Sequence, residues 1–437
     1  MPYTPQTWNN GSGGATPLSA TRLNYMEDGI ANAGGGGGGT LYVCASDALN
    51  PTGDYICDGT ADEVQINAAI TALATKGGSV VLSEGTFNLA APVLMNSKGV
   101  TLSGQGLGTN NDVKGSVLKG PTSGSFNLVE LRNNYTTLSN LLVWGQAGWT
   151  GDCVEQILGQ EAFDTVISRC NFINLGTGDA LRLAGSGSTW VSHCYLEANS
   201  ATGSSVWVRS YATVESCYLY SGSYWAVYIE GSQPSDPEGA TDSVIVSNCH
   251  VDGDGAGFVT SVGGNSRVSI VGNIALFDWG TDAQILLNDC HQAVVEGNNL
   301  GWNDGAGIKL IGCDESMVTG NIVRRTGSHG IWLVDCNDCS VTGNLVANSG
   351  TLTDDTYSGI ILDGDTNNCS VLNNTVRRDL DSSLGNQPRY GIRIDDSTCD
   401  ANFVTCNDLL NSSKSGGAGG AYSDAGTGTV TTAANRT

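Results

Sequence analysis

Charge is what this chain has least of. Only 14% of its residues are Asp, Glu, Lys or Arg, where an ordinary domain has about 25%. Basic residues are scarcer still: 19 Lys and Arg stand against 43 Asp and Glu, a formal net charge of −24. That balance opposes nucleic acid or an anionic membrane surface as a partner. It also opposes strongly anionic polymers, unless basic residues are grouped locally. Proline is rare, 9 residues in 437. Apolar runs of the roughly 18 residues needed to cross a bilayer are missing, so no membrane insertion is expected. The N-terminal MPYTPQTWNNGSGG has no basic stretch leading into an apolar core, so no signal peptide is expected either.

Glycine is abundant, at 61 residues, and so is repetition. Residues 306–346 read AGIKLIGCDESMVTGNIVRRTGSHGIWLVDCNDCSVTGNLV. Gly307-Ile308-Lys309-Leu310 returns as Gly330-Ile331-Trp332-Leu333 after 23 residues, Cys313 as Cys336, and Asn321 as Asn344. A fixed period of this size marks a solenoid. I-x-L alternation makes each copy a short strand with Ile and Leu inward, and the Gly and Asn positions read as bends. No helix-length segment fits inside a copy. The expected fold class is therefore all-β: a parallel β-helix whose coils stack at about 4.8 Å.

The ladder position can be followed as Asn140, Cys170, Cys194, Cys217, Cys249, Asn273, Asn298, Asn321, Asn344, Asn374 and Asn407. Cys290, Cys313 and Cys336 form a second column. Although the chain has 14 cysteines, both columns are thus read as inward ladders of free thiols. Zinc needs clustered ligands, and Cys336-x-x-Cys339 lacks a partner pair, so no metal site and no cofactor is assigned. A Cys44–Cys57 disulfide stays open for an oxidising compartment only.

Domain organisation follows composition. In residues 1–33, Leu23, Met26, Ile30 and Ala33 are spaced 3, 4 and 3 apart. This is a heptad seam too short to hold a helix alone, so the segment reads as one for attachment and oligomerisation; a frayed tail is the bland alternative. Residues 34–39 are consecutive glycines, a flexible joint. Residues 40–411 form the β-helix. Within them a capping helix is expected over residues 60–75, with Asp58 or Thr60 as its cap, Val64, Ala68, Ile70 and Leu73 as its apolar face, and Gly77-Gly78 ending it. Residues 412–437 read as a Gly-rich tail, with one more strand open for the last of them.

Two places carry candidate chemistry. The strand after the loop presents an outward column: Glu155, Arg182, Trp207, Tyr228, Val259, Leu286, Lys309, Trp332, Ile361 and Arg393. A second column passes Arg209 and Glu230, and Trp225 and Tyr224 come just before Tyr228. A row of exposed aromatics stacks on sugar rings while polar neighbours bind the hydroxyls. Trp207, Tyr228, Trp225, Arg182 and Glu230 are therefore candidate carbohydrate-binding residues. Aromatic ladders covered by a loop or a neighbouring subunit, with cross-coil ion pairs, are the alternative.

The second place is the turn after the ladder. Three consecutive coils read HVDGDGAG, FDWGTDAQ and GWNDGAG. They put Asp252, Asp254, Asp278, Asp282 and Asp304 on one edge, with Trp279 and Trp302 beside them as further sugar-binding candidates. Carboxylates one coil apart lie at roughly 5 Å and two coils apart at roughly 10 Å, which brackets the separations glycoside hydrolysis uses. Solvated Asx turns and a calcium site are the competing readings of these carboxylates.

DGTADEVQINAAITAL followed by GGSVVLSEGTFNL resembles the N-terminal cap of the pectate-lyase-like right-handed β-helix superfamily, with Ser83 and Phe87 departing from its usual turn. The Asn column resembles the asparagine ladder of that superfamily. The resemblance spans residues 58–411 and implies a right-handed helix. It does not select among lyases, hydrolases, epimerases and binding proteins. Elimination of the pectate-lyase type needs an Arg or Lys base beside calcium, and residues 251–305 offer only Arg267, so hydrolysis is favoured over it. TPLSATRLNYMEDGIANA resembles an N-terminal segment of tail-fibre and baseplate proteins of tailed phages. That resemblance implies a tail-fibre or tailspike-like receptor-binding protein of the virion, made in the host cytoplasm. Residues 16–33 would dock to baseplate or tail proteins, the chain would assemble as a homotrimer, and cell-surface polysaccharide would be the partner. A depolymerase on the same scaffold and a spacer without ligand remain as alternatives.

Overall fold

The computed structural model describes residues 39–437 except 109–113, 158–161, 186–187, 210, 232–242, 263–266, 277–279, 379–384 and 432–434. The seam Leu23, Met26, Ile30, Ala33 and nearly all of the glycine run lie outside the described residues, as do Asp278 and Trp279.

One coil shows how the sequence makes the fold. Met317–Thr319 belongs to the first sheet, Ile322–Thr326 to the second and Ile331–Val334 to the third. Ser340–Thr342 then returns to the first sheet, paired in parallel with Met317–Thr319. Repeating this path builds a right-handed parallel β-helix of three parallel sheets, with 16, 12 and 13 described strands. Val318, Val323, Ile331 and Leu333 point inward and are buried. Stacking the same positions on every coil gives one continuous apolar core.

The corner between the first and second sheets is two residues long. Its first residue is left-handed: Gly320 at φ 64°, Gly343 at 68°, Asn248 at 53°, and even Arg169 at 53° and His193 at 54°. Its second residue turns inward and forms the ladder. From Asn273 to Asn407, each Asn Nδ2 donates to the Oδ1 of the next coil's Asn at 2.9–3.1 Å, ending on Asn435. In earlier coils sulfur substitutes: the Cys170 and Cys194 amides donate to Cys194 and Cys217 Sγ, both at 3.5 Å. Asn140 is corrected by this geometry. It is the left-handed residue, at φ 55°, and Leu141 occupies the buried position. The second thiol column continues through Thr366, and Cys339 and Cys369 form a third beside it.

All 14 cysteines are free and all but Cys406 are buried; Cys406 takes the left-handed corner position, at φ 59°. Cys44 and Cys57 are not bonded to each other. Cys44 Sγ donates to the Thr52 carbonyl at 2.7 Å.

The glycines of the G-I-x-L motif are not bends. Gly307 and Gly330 face inward at the start of the third sheet, where an added Cβ would lie 2.2 and 2.3 Å from Val323 and Val346 of the second. They are glycines for close approach.

Helix α1, Glu63–Ala72, is shorter than the sequence implies and is preceded by Asp62 as N-cap. Asp58 instead bonds Thr60 in the loop before it. Ile66, Ala69, Ile70 and Leu73 are its buried face; Val64 is 59% exposed and Ala68 also faces out. The helix covers the open first coil through side chains. Asp62, Glu63 and Asn67 accept the amides of Asn88, Ala90 and Leu94 at 2.7, 2.9 and 2.7 Å. These amides have no preceding coil to pair with, and the acceptors satisfy the exposed edge.

The C-terminal residues do not form a tail. Tyr422–Asp424 pairs with Tyr390–Ile394, and Val430–Thr431 with Phe403–Thr405, so the coil continues.

Candidate functional site

Strand register fixes which side chains share the outer face of the third sheet. Glu155, Arg182, Trp207, Tyr228, Thr260, Leu286, Lys309, Trp332, Ile361 and Arg393 follow one another across ten coils. Val259 is corrected: it pairs with the inward Val227, is fully buried, and leaves the outward place to Thr260.

The aromatics are brought together but are less open than their sequence positions imply. Trp207 is 6% exposed because the Arg182 guanidinium lies over its ring at 3.6 Å, a cation–π contact. Trp225 is 7% exposed, packed with Ala283, Leu286 and Ala306 in an apolar cluster outside the main core. Tyr224 and Tyr228 stack at 5.7 Å and are half-buried beside it, as is Glu230. Further along, Lys309 Nζ sits 4.2 Å above Trp332. The His329 ring lies 4.9 Å from Trp332 and 5.2 Å from Tyr357. Burial lowers the His329 pKa to about 4, so this imidazole is neutral at physiological pH.

At the entry to the same sheet lies a carboxylate ladder that sequence reasoning missed. The Asp152 amide donates to Asn127 Oδ1 at 3.1 Å, the Asp179 amide to Asp152 Oδ1 at 2.7 Å, and the Ser204 amide to Asp179 Oδ1 at 2.7 Å. Arg182 Nη1 bonds Asp179 Oδ2 at 2.9 Å, and Arg182 Nε lies 3.8 Å from Glu155. Glu155 also accepts a bond from Asn127. Burial pushes Asp152 up to about 6 and Asp179 up to about 7, their mutual repulsion adding to the rise in Asp179. The pair therefore titrates around neutrality, with one proton shared between two carboxylates over part of that range. The signal was present as Gly-Asp-x-aliphatic at residues 151–154 and again at 178–181, 27 residues later.

The other expected carboxylates flank the turn between the second and third sheets but engage separate partners. Asp252 ends the second-sheet strand His250–Gly253 and accepts the Tyr218 hydroxyl at 2.9 Å. Tyr218 itself stacks between Tyr195 and His250, at 5.3 and 5.1 Å. Asp282 precedes the third-sheet strand Ala283–Asn288 and lies 3.9 Å from Lys309. Asp254 is exposed and Asp304 half-buried in their bends. Trp302 faces outward, 48% exposed, with Arg325 over it at 4.0 Å. Among the described residues no three His, Cys, Asp or Glu side chains come together as a metal-binding group.

Two families match parts of the chain. Residues 163–355 match one described as periplasmic copper-binding protein (NosD), and residues 275–436 one described as right handed beta helix region. Among the described residues no group of three or more His, Cys, Asp or Glu stands ready for the copper of the first description. Similar solved structures share the fold at low identity. The A-module of the mannuronan C-5 epimerase AlgE6 of Azotobacter vinelandii has 16% identity and a TM-score of 0.54, covering 86% of this chain and 96% of that one. The Dettilon tailspike protein has 15% identity and a TM-score of 0.56, covering 91% and 69%. PfbA, a surface adhesin of Streptococcus pneumoniae, has 12% identity and a TM-score of 0.50, covering 82% and 92%. No curated protein matches the sequence.

Proposed function

We propose that this protein is a tail-fibre or tailspike-like receptor-binding protein that recognises host cell-surface carbohydrate on the outer face of its third sheet. The observation that carries the reading is the row Arg182–Trp207, Tyr224–Tyr228, Trp225 and Lys309–Trp332 on one flat parallel face. The half-buried rings of Tyr224, Tyr228 and Trp332 supply apolar surface for a pyranose; Arg182, Glu230 and Lys309 supply hydrogen bonds to its hydroxyls. The similarity in fold to an epimerase acting on mannuronan, to a tailspike and to a surface adhesin supports a carbohydrate role. Residues 16–33 dock the chain to the tail, and three copies assemble in parallel.

The test is incubation of the full chain with purified host surface polysaccharide, read by affinity electrophoresis and by polymer size. Retardation that Tyr228→Ala weakens at least fivefold supports the reading. Silence across a glycan array at high protein concentration would leave only the spacer.

One observation favours a second reading, hydrolysis. Asp152 and Asp179 hold the same place on adjacent coils, whose backbones stack at roughly 4.8 Å, and the Asp179 amide donates to Asp152 Oδ1 at 2.7 Å; a one-coil rise matches the carboxylate separation of retaining glycosidases, about 5–5.5 Å. Their raised pKa values leave one protonated as acid and one ionised as nucleophile near neutrality. Reducing-end release that Asp179→Asn abolishes supports it; unchanged polymer size removes it.

A further inference from the structure

The second sheet carries a feature the reading above does not use. Trp302, Arg325 and Asn348 occupy the same position on three successive coils, one beyond the paired residues Gly301, Arg324 and Ala347. All three are left-handed, at φ 63°, 55° and 61°. The same left-handed geometry recurs at the corners of other coils, and here it repeats at one position of three successive coils. Between them opens a depression of about 440 Å³ lined by Trp302, Arg324, Arg325, Leu345, Ala347 and Asn348, within the range of small-ligand sites.

The charge of this depression is opposite to that of the chain. None of its six lining residues is acidic, although the chain carries −24 overall. Arg324 is exposed, and no described residue bonds to it. Charges elsewhere on the surface are screened beyond about 8 Å at physiological ionic strength, so a ligand in the depression meets chiefly the two arginines. The next coil adds Arg377 and Arg378, the former neutralised by Asp408 and the latter bonded to Gln387 at 3.0 Å.

We propose that this depression binds an anionic sugar unit, a pyranose bearing a carboxylate or sulfate. The ring lies against Leu345 and the Trp302 face turned away from Arg325, and the anion takes the forked donors of Arg324, with the Arg325 charge beside it. A guanidinium fork matches a planar carboxylate in two parallel hydrogen bonds, and an indole face matches the C–H face of a sugar. The proposal rests on the carbohydrate reading and gives it a ligand class and a second site.

The test uses the full chain and titration calorimetry with four probes: a galacturonate hexamer, its methyl ester, a chondroitin sulfate hexamer and a single-stranded DNA 12-mer. The expected result is binding of at least one anionic hexamer, with the ester bound at least tenfold more weakly than the free galacturonate if that is the one. Arg324→Ala with Arg325→Ala weakens that binding at least tenfold, and Trp302→Ala about fivefold. Arg324→Ala alone removes an exposed side chain, and its loss of binding guards against misfolding of the double variant. Binding of neither anionic hexamer overturns the proposal, as does equal binding of the ester or tighter binding of the DNA. If Tyr228→Ala abolishes glycan binding and the arginine variants do not, the third-sheet reading stands and this one falls. Silence toward every glycan removes both.

Discussion

Asn321→Ala tests the ladder at its centre. Asn321 is fully buried. Its Oδ1 accepts both the Asn298 amide and Asn298 Nδ2 at 2.9 Å, and its Nδ2 donates to the Val295 carbonyl at 2.9 Å and Asn344 Oδ1 at 3.0 Å. Alanine leaves two donors of Asn298 without an acceptor, where no water reaches. An orphaned buried group costs about 1–3 kcal/mol, so the pair costs about 4 kcal/mol, or about three powers of ten in the local opening equilibrium. Because a solenoid is quasi-one-dimensional, the loss is local. Native-state hydrogen exchange should show it across residues 294–300 and leave Gly78–Leu82 unchanged. Asn321→Cys is the sharper control. Sulfur already accepts an amide at this position, as Cys217 Sγ does from Cys194 at 3.5 Å, so the cysteine variant should lose about half as much in free energy. Protection in the alanine variant within tenfold of wild type, or equal damage from cysteine, would refute the reasoning.

The carboxylate pair makes stability depend on pH. Asp179, raised to about 7, keeps in the fold a proton that the unfolded chain releases near 3.9. Its contribution is therefore greatest below about pH 4 and is lost as pH rises through about 7. Thermal unfolding should show wild type losing more stability than Asp179→Asn between pH 4.5 and 8, and parallel curves would exclude the shift. Native-state alkylation should label Cys406 and few other thiols, with all 14 labelled after denaturation; five or more disulfides by mass spectrometry would overturn the ladder. Light scattering should give a particle of three chains, and deletion of residues 1–39 should leave the body folded but detached from the virion. A monomer at micromolar concentration would make the N-terminal segment a docking peptide that orders on its partner.

The sequence alone determined the coil. Inward aliphatics at period 2 and a 23-residue repeat leave a chain no other way to bury its core, and a two-residue corner needs one left-handed residue and one turned inward. These are local requirements, written in Gly320-Asn321 and Gly343-Asn344, where the sequence was read as a bend and a ladder. Asn140 was misplaced by one residue because Asn suits both halves of that corner. What the tertiary structure decided is everything that depends on which coil lies beside which. Spacing put Arg182 next to Trp207 in the outward column, but that the guanidinium lies over the ring at 3.6 Å is decided by packing. Asp152 and Asp179 shift together because burial and repulsion act between coils 27 residues apart in sequence. The inward pointing of Gly307 toward Val323 likewise exists only once three sheets close on a shared core. A repeat gives the period of each side chain along the chain, but its neighbours across the stack are set by insertions that shift register, and those are settled only when the coils pack.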